Sequence, residues 1–98
     1  MTIEIKRNAE ETTIKLVGRL DTTTAPALDK TIGEDIAGTK NLILDVKELE
    51  YISSAGLRVL LGAQKKMQKI GSMKVINVCE LVMEVFEMTG FADILVIE

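Results

Sequence analysis

The chain has 98 residues, of which 47% are hydrophobic, 28% charged and 3% aromatic. These proportions fit one compact domain over residues 1–98 and leave no room for a second. Histidine is absent and a single cysteine, Cys79, is present. An internal disulfide, the imidazole base of the common nucleophilic pairs and the commonest metal ligand are therefore all missing. The formal charge of −3 is opposite to the positive field that drives non-specific nucleic-acid binding, so neither DNA nor RNA is expected as a direct partner. No apolar run approaches the roughly 20 residues of a membrane span. The first residues lack the basic-then-apolar layout of a signal peptide. A cytoplasmic protein without membrane attachment is expected.

In chain order, Ile3 and Ile5, then Ile14 and Leu16, alternate with polar residues and predict two strands joined as a hairpin around Ala9-Glu10-Glu11. Thr22-Thr23-Thr24 followed by Pro26 is a helix start, and Ala25, Leu28, Ile32 and Ile36 continue it at steps of three and four until Gly38. Asn41 to Val46 is a nearly unbroken apolar run, which predicts a central strand covered on both faces and ending in a loop over Lys47 to Tyr51. Helical spacing returns from about Ala55 to Ile70, with Leu57, Leu60, Leu61, Ala63, Met67 and Ile70 on the core side. Arg58, Lys65 and Lys69 lie opposite, and Gly71 is the stop. Met73 to Val78 predicts a strand, Glu80 to Met88 a helix closed by Gly90, and Ile94 to Ile97 a short strand or extended tail. Met67, Met83 and Met88 are expected as core fillers. The order β-β-α-β-α-β-α-β implies an α/β domain with a mixed, mostly parallel sheet, an N-terminal hairpin and helices packed against the sheet. Ligands and partners of such sheets gather at the carboxyl ends of the strands, which directs attention to Leu20 to Thr24, Lys47 to Ala55 and Asn77 to Glu80.

The most informative segment is Tyr51-Ile52-Ser53-Ser54-Ala55-Gly56-Leu57. Two hydroxyls precede a helix whose first turn contains glycine. The plain reading of Ser-Ser is a helix cap, and Gly56 adds a requirement for close approach, because glycine costs a helix about 1 kcal/mol relative to alanine. A phosphate here would be favoured by the positive end of the helix dipole and would repel an acidic or apolar surface docked on the turn. One modification would spare the fold and break a complex.

The stretch from Leu42 to Leu61, with its Asp45-Val46 and Ser53-Ser54-Ala55-Gly56-Leu57 elements, resembles the signature of STAS domains of the bacterial anti-sigma factor antagonist type. Gly18-Arg19-Leu20-Asp21 resembles an earlier Gly-x-Leu-Asp element, and Val85 to Phe91 resembles the closing helix, so the likeness runs over nearly the whole chain. The resemblance implies an antagonist that, unphosphorylated, binds a serine-kinase anti-sigma factor and releases the sigma factor. It implies phosphorylation on Ser54 and reversal by a metal-dependent serine phosphatase. Family members often carry Asp before the acceptor serine, where this chain has Ser53. Ser53 is then an alternative acceptor, a cap or a neutral substitute. Asp21, Thr22 and Thr23 join Ser53, Ser54, Ala55, Gly56, Leu57 and Arg58 as the implied partner-facing surface, without cofactor, metal or catalytic residue, on a protein expected to be a monomer.

Simpler roles compete for several of these residues. Asp21 and the threonines can serve only as caps of the first helix. Asp45 is either a brace for the serine loop or an ordinary turn acid, and the Arg58, Lys65 and Lys69 ridge is either an acidic-partner contact or a solvated helix face. A second function class keeps the fold as an unphosphorylated scaffold, such as the STAS subunit of a lipid transporter or signalling complex, which capture of transporter ATPase subunits would reveal. An enzyme with Ser54 as nucleophile would need a lysine base such as Lys47, and no spacing supplies one. A receiver domain would need paired carboxylates after its first strand, which the opening hairpin does not offer.

Overall fold

The computed structural model describes residues 1–36 and 38–98, with the side chain of Asp35 left aside. Strands β1 (Thr2–Asn8) and β2 (Glu11–Leu20) form the expected hairpin, turned by Ala9 and Glu10 with Ala9 at a φ of 54°. Helix α1 (Ala25–Asp35) follows, then strand β3 (Asn41–Ile52), helix α2 (Ser54–Ile70), strand β4 (Ser72–Ile76) and helix α3 (Glu80–Thr89). A short 3-10 turn, Phe91–Asp93, precedes the C-terminal residues. Gly90 ends α3 at a φ of 83°, the left-handed conformation that glycine adopts without a Cβ clash. The sheet order is β1-β2-β3-β4, antiparallel in the hairpin and parallel elsewhere. Val75 forms a parallel bridge with Ile97, so the final apolar residues add only an isolated rung to β4.

Strand β3 departs from the sequence reading in two ways. It is an interior strand, but its residues alternate: Leu42, Leu44 and Val46 are buried, whereas Ile43 and Asp45 on the other face are half-buried. The helices cover one face, and on the other the Lys15–Glu48 ion pair (2.7 Å) lies across β2 and β3. The expected loop over Lys47 to Tyr51 is instead strand, paired with β2 through to Leu20↔Ile52. Register shifts between Lys15 and Val17 and between Gly18 and Arg19 break the two-residue alternation there, so buried positions fall at Val46, Leu49 and Ile52.

The core is continuous across the helix side of the sheet. It joins Ile14, Leu16 and Leu20 of β2 to Leu28 and Ile32 of α1, Leu57, Leu60 and Met67 of α2, and Val82 and Phe86 of α3. Two α2 residues expected in it are not: Leu61 is half-buried and Ile70 is exposed, while Gln64 is buried. Met88 is a larger departure at 86% exposed. Val82 and Phe86 mark the buried face of α3, and Met88 lies on the opposite side, leaving Met67 buried and Met83 half-buried among the methionines. β4 ends at Ile76, two residues before the expected Val78.

Candidate partner-binding site

Strand lengths decide which loops form the rim. β3 runs seven residues beyond Asp45, the position paired with the last residue of β4. The β4 exit therefore lies part-way along β3, where Asn77 donates to Asp45 Oδ1 (3.1 Å) and the Cys79 thiol faces the Leu49 carbonyl (3.6 Å). Asp45 also accepts from its near neighbour Lys47 N–H (3.1 Å). It is a local brace, far along the strand from the serine loop, and the Asn77 to Glu80 loop is set back from the tip.

The tip itself is built from the ends of β2 and β3. The Ser53 N–H donates to the Leu20 carbonyl (2.9 Å), which ties the serine turn to the Asp21 loop. Ser53 is the N-cap of α2. It is half-buried, and its Oγ accepts the Gly56 N–H at 3.5 Å. Ser54 is the first residue of the helix and is exposed. The two serines, equivalent in the sequence, thus occupy different positions, one turned toward the backbone and one toward solvent. Gly56 is buried, and a Cβ there would lie 2.7 Å from Leu20 Cγ and 2.9 Å from Ile52 Cγ1. The close approach that its presence implied is made by the protein's own core, which seats the first turn of α2 directly on the ends of β2 and β3.

Asp21 organises the second half of the tip. Its Oδ1 accepts from the Thr23 hydroxyl (2.7 Å), the Thr23 N–H (3.0 Å) and the Thr24 N–H (3.2 Å). The Thr24 hydroxyl in turn donates to the Arg19 carbonyl and accepts the Asp21 N–H, both at 2.8 Å. The Asp21 carboxylate thus braces the turn that leads into α1, and Thr24, the N-cap of α1, makes no side-chain cap bond of its own. Thr22 is exposed. These bonds hold the Asp21 carboxyl below the ordinary aspartate range, with the Thr23 hydroxyl contributing most. Because the folded value lies below the unfolded one, the stabilisation is complete above about pH 3.9 and is lost as the pH falls through the depressed folded value. An NMR titration should place the Asp21 midpoint below about 3.9, and Asp21→Asn should flatten the acid limb of the stability curve.

Sequence reasoning missed two features here. The Arg19 guanidinium lies over the ring of the exposed Tyr51, 4.4 Å from its centroid, and 3.8 Å from Asp21 Oδ2. The pairing of Arg19 with Tyr51 across β2 and β3 brings them together, and the misread strand end hid that register. The second is a shallow groove of about 250 Å³ beside the phosphoacceptor candidate, lined by Ser54, Leu57, Arg58, Leu61, Thr89 and Phe91. Arg58 lies one turn after Ser54 on the same side of α2 and is exposed, as are Lys65 and Lys69. The first turn of α2 carries no acidic residue. Among the described residues, no group of His, Cys, Asp and Glu side chains could hold a metal ion, and no helix is long and apolar enough to cross a membrane.

A mixed four-stranded sheet with three helices on one face, and a hydroxyl presented where β3 enters α2, defines a small single α/β domain. The STAS domain family model matches residues 2–98, and the chain belongs to that family. It is 29% identical over 94 residues to the anti-sigma-B factor antagonist of Bacillus subtilis, covering 95% of this chain and 86% of that one. Among solved structures, an anti-sigma factor antagonist from Mycobacterium paratuberculosis superimposes with a TM-score of 0.88 at 24% identity, over 98% of this chain and 83% of that one. The Bacillus cell fate determinant SpoIIAA in its phosphorylated form superimposes with a TM-score of 0.78 at 19% identity, over 99% and 91% respectively. The first two of these are anti-sigma factor antagonists by name.

Proposed function

We propose that this chain is a phosphorylation-switched anti-sigma factor antagonist of the cytoplasm. Unphosphorylated, it binds an anti-sigma factor that is also a serine kinase, and the sigma factor is released. Phosphate on Ser54 breaks the complex, and a metal-dependent serine phosphatase restores it. The observation that carries this reading is the division of labour between neighbouring serines: Ser53 caps α2, while Ser54 stands exposed at the positive end of the same helix. A dianion at that position meets the unpaired N–H groups of the first turn and faces Arg58 across one turn, so the domain tolerates it. The fold neighbour described in phosphorylated form supports the reading, as does the name of the Bacillus subtilis relative. The rim formed by Asp21, Thr22 and Thr23 with Ser53 to Arg58 is the docking surface. Incubation with ATP and a cognate serine-kinase anti-sigma factor should add one phosphate, mapped by mass spectrometry to Ser54, and a metal-dependent phosphatase should remove it. An unmodified chain, or phosphate found on Ser53 instead, defeats the proposal.

A further inference from the structure

Strand β1 stands at the end of the sheet order and presents one hydrogen-bonding edge beyond the sheet. The two-residue turn at Ala9 and Glu10 makes Asn8 and Glu11 a hydrogen-bonded pair, so the inward backbone groups belong to Thr2, Glu4, Lys6 and Asn8. Those of Ile3, Ile5 and Arg7 point outward. The side chains alternate as well: Ile3 and Ile5 lie opposite Leu16 and Ile14 on the helix side, and Glu4 and Lys6 lie opposite Lys15 and Thr13 on the open side. Ile5 is 39% exposed although its cross-strand neighbour Ile14 is fully buried.

We infer that β1 pairs with β1 of a second copy of this chain, antiparallel and centred on Ile5, to make a continuous sheet across a two-fold axis. The register follows from the strand's own pattern. Centring on Ile5 places Ile5 opposite its symmetry mate and Ile3 opposite Arg7, and these are the residues whose backbone groups point outward. About six interstrand hydrogen bonds result. The same register sets Glu4 opposite the second copy's lysine at position 6, and Lys6 opposite its glutamate at position 4. Both are non-hydrogen-bonded pairs, in which side chains come closest. Within its own sheet Glu4 faces Lys15, whose ammonium is held by Glu48 at 2.7 Å and attracts Glu4 as well, and the exposed Glu4 carboxylate stands beside the partner strand's lysine. On the helix side the two Ile5 side chains extend the apolar layer across the axis. A shift of one residue would remove both the ion pairs and the match of backbone groups. The antiparallel axis directs the two Ser54 rims to opposite ends of the dimer, so pairing leaves both open and makes the assembly bivalent for a rim-binding partner. The contact is short and charged, which makes a weak, salt-sensitive dimer, unlike the monomer that the family resemblance implies.

Sedimentation equilibrium from roughly 10 µM to about 1 mM should show a monomer–dimer equilibrium that weakens with added salt. Glu4→Lys should weaken it about tenfold, since two like-charge pairs then face each other. Glu4→Lys with Lys6→Glu should restore it by exchanging the partners. Circular dichroism would show that both variants are folded, as both side chains are exposed. Ile5→Cys in a Cys79→Ser background should form a covalent dimer on mild oxidation, because the Cα atoms of a hydrogen-bonded pair lie about 5.5 Å apart, within disulfide reach. A parent chain that stays monomeric throughout, a dimer indifferent to Glu4→Lys, or a double variant as weak as the single overturns the assignment.

Discussion

Ser54→Asp is expected to weaken binding to the serine-kinase anti-sigma factor by about 100-fold or more while leaving the melting temperature unchanged or a few degrees higher. The two effects have separate causes. For the domain alone, a negative charge at the first residue of α2 meets a helix end that has no acidic side chain in its first turn. Such a charge contributes roughly 0.3–1 kcal/mol of favourable dipole interaction, and Arg58 one turn later adds to it. For the complex, the same charge is pressed into an interface. An uncompensated charge there costs about 2–5 kcal/mol. Ser54→Ala should bind like the parent and resist switching, because Ser54 is not the capping residue. Ser53→Ala should do the reverse, losing up to about 1 kcal/mol of stability with the cap yet still switching. Calorimetric binding and melting curves of the three variants check this. Tight binding by Ser54→Asp, or a Ser53 variant that alone fails to switch, would contradict the assignment of roles.

Much of this architecture is legible because one-sided burial writes itself into residue spacing. Ala25, Leu28, Ile32 and Ile36 announce α1 and all four are buried. Gly71 and Gly90 fall where α2 and α3 stop. The second half of β3 was not legible, since Lys47, Glu48, Glu50 and Tyr51 face solvent and two register shifts replace alternation with a spacing of three. That error also concealed the Arg19–Tyr51 contact, which depends on the paired ends of β2 and β3. Met88 sits among apolar neighbours in the sequence, but the buried face of α3 runs through Val82 and Phe86, and Met88, two residues past Phe86, falls on the opposite side of the helix. At the site, the pattern Ser-Ser-Ala-Gly identified the turn but not the distinction within it. Which serine caps and which is displayed follows from the path by which Ser53 N–H reaches the Leu20 carbonyl, a tertiary contact that local sequence does not encode.

Gly71→Ala should be the most destabilising of the simple substitutions, on the order of 3 kcal/mol, or roughly a 15 °C fall in melting temperature. The φ of Gly71, 172°, is extended backbone open to any residue, so the demand for glycine is one of space. A Cβ there would run into the carbonyl of Lys40. That carbonyl accepts the Ser72 N–H (2.8 Å), which starts the pairing of β4 with β3. It has little freedom to withdraw, because Lys40 N–H and Asn41 N–H both donate to the Glu10 carbonyl at the hairpin turn (2.7 and 3.1 Å). A methyl group must therefore break the Lys40–Ser72 bond or pull the β3 entry away from the hairpin, and either weakens the sheet where three strands meet. Gly62, nine residues earlier in the same helix, supplies the contrast. A Cβ there meets nothing within 4 Å, and Gly62→Ala should stabilise the protein by about 0.5–1 kcal/mol through helix propensity alone. Chemical denaturation of the two variants should therefore move the midpoint in opposite directions. If Gly71→Ala unfolds at the parent's midpoint, the junction of Lys40, Gly71 and Ser72 is not the tight contact described.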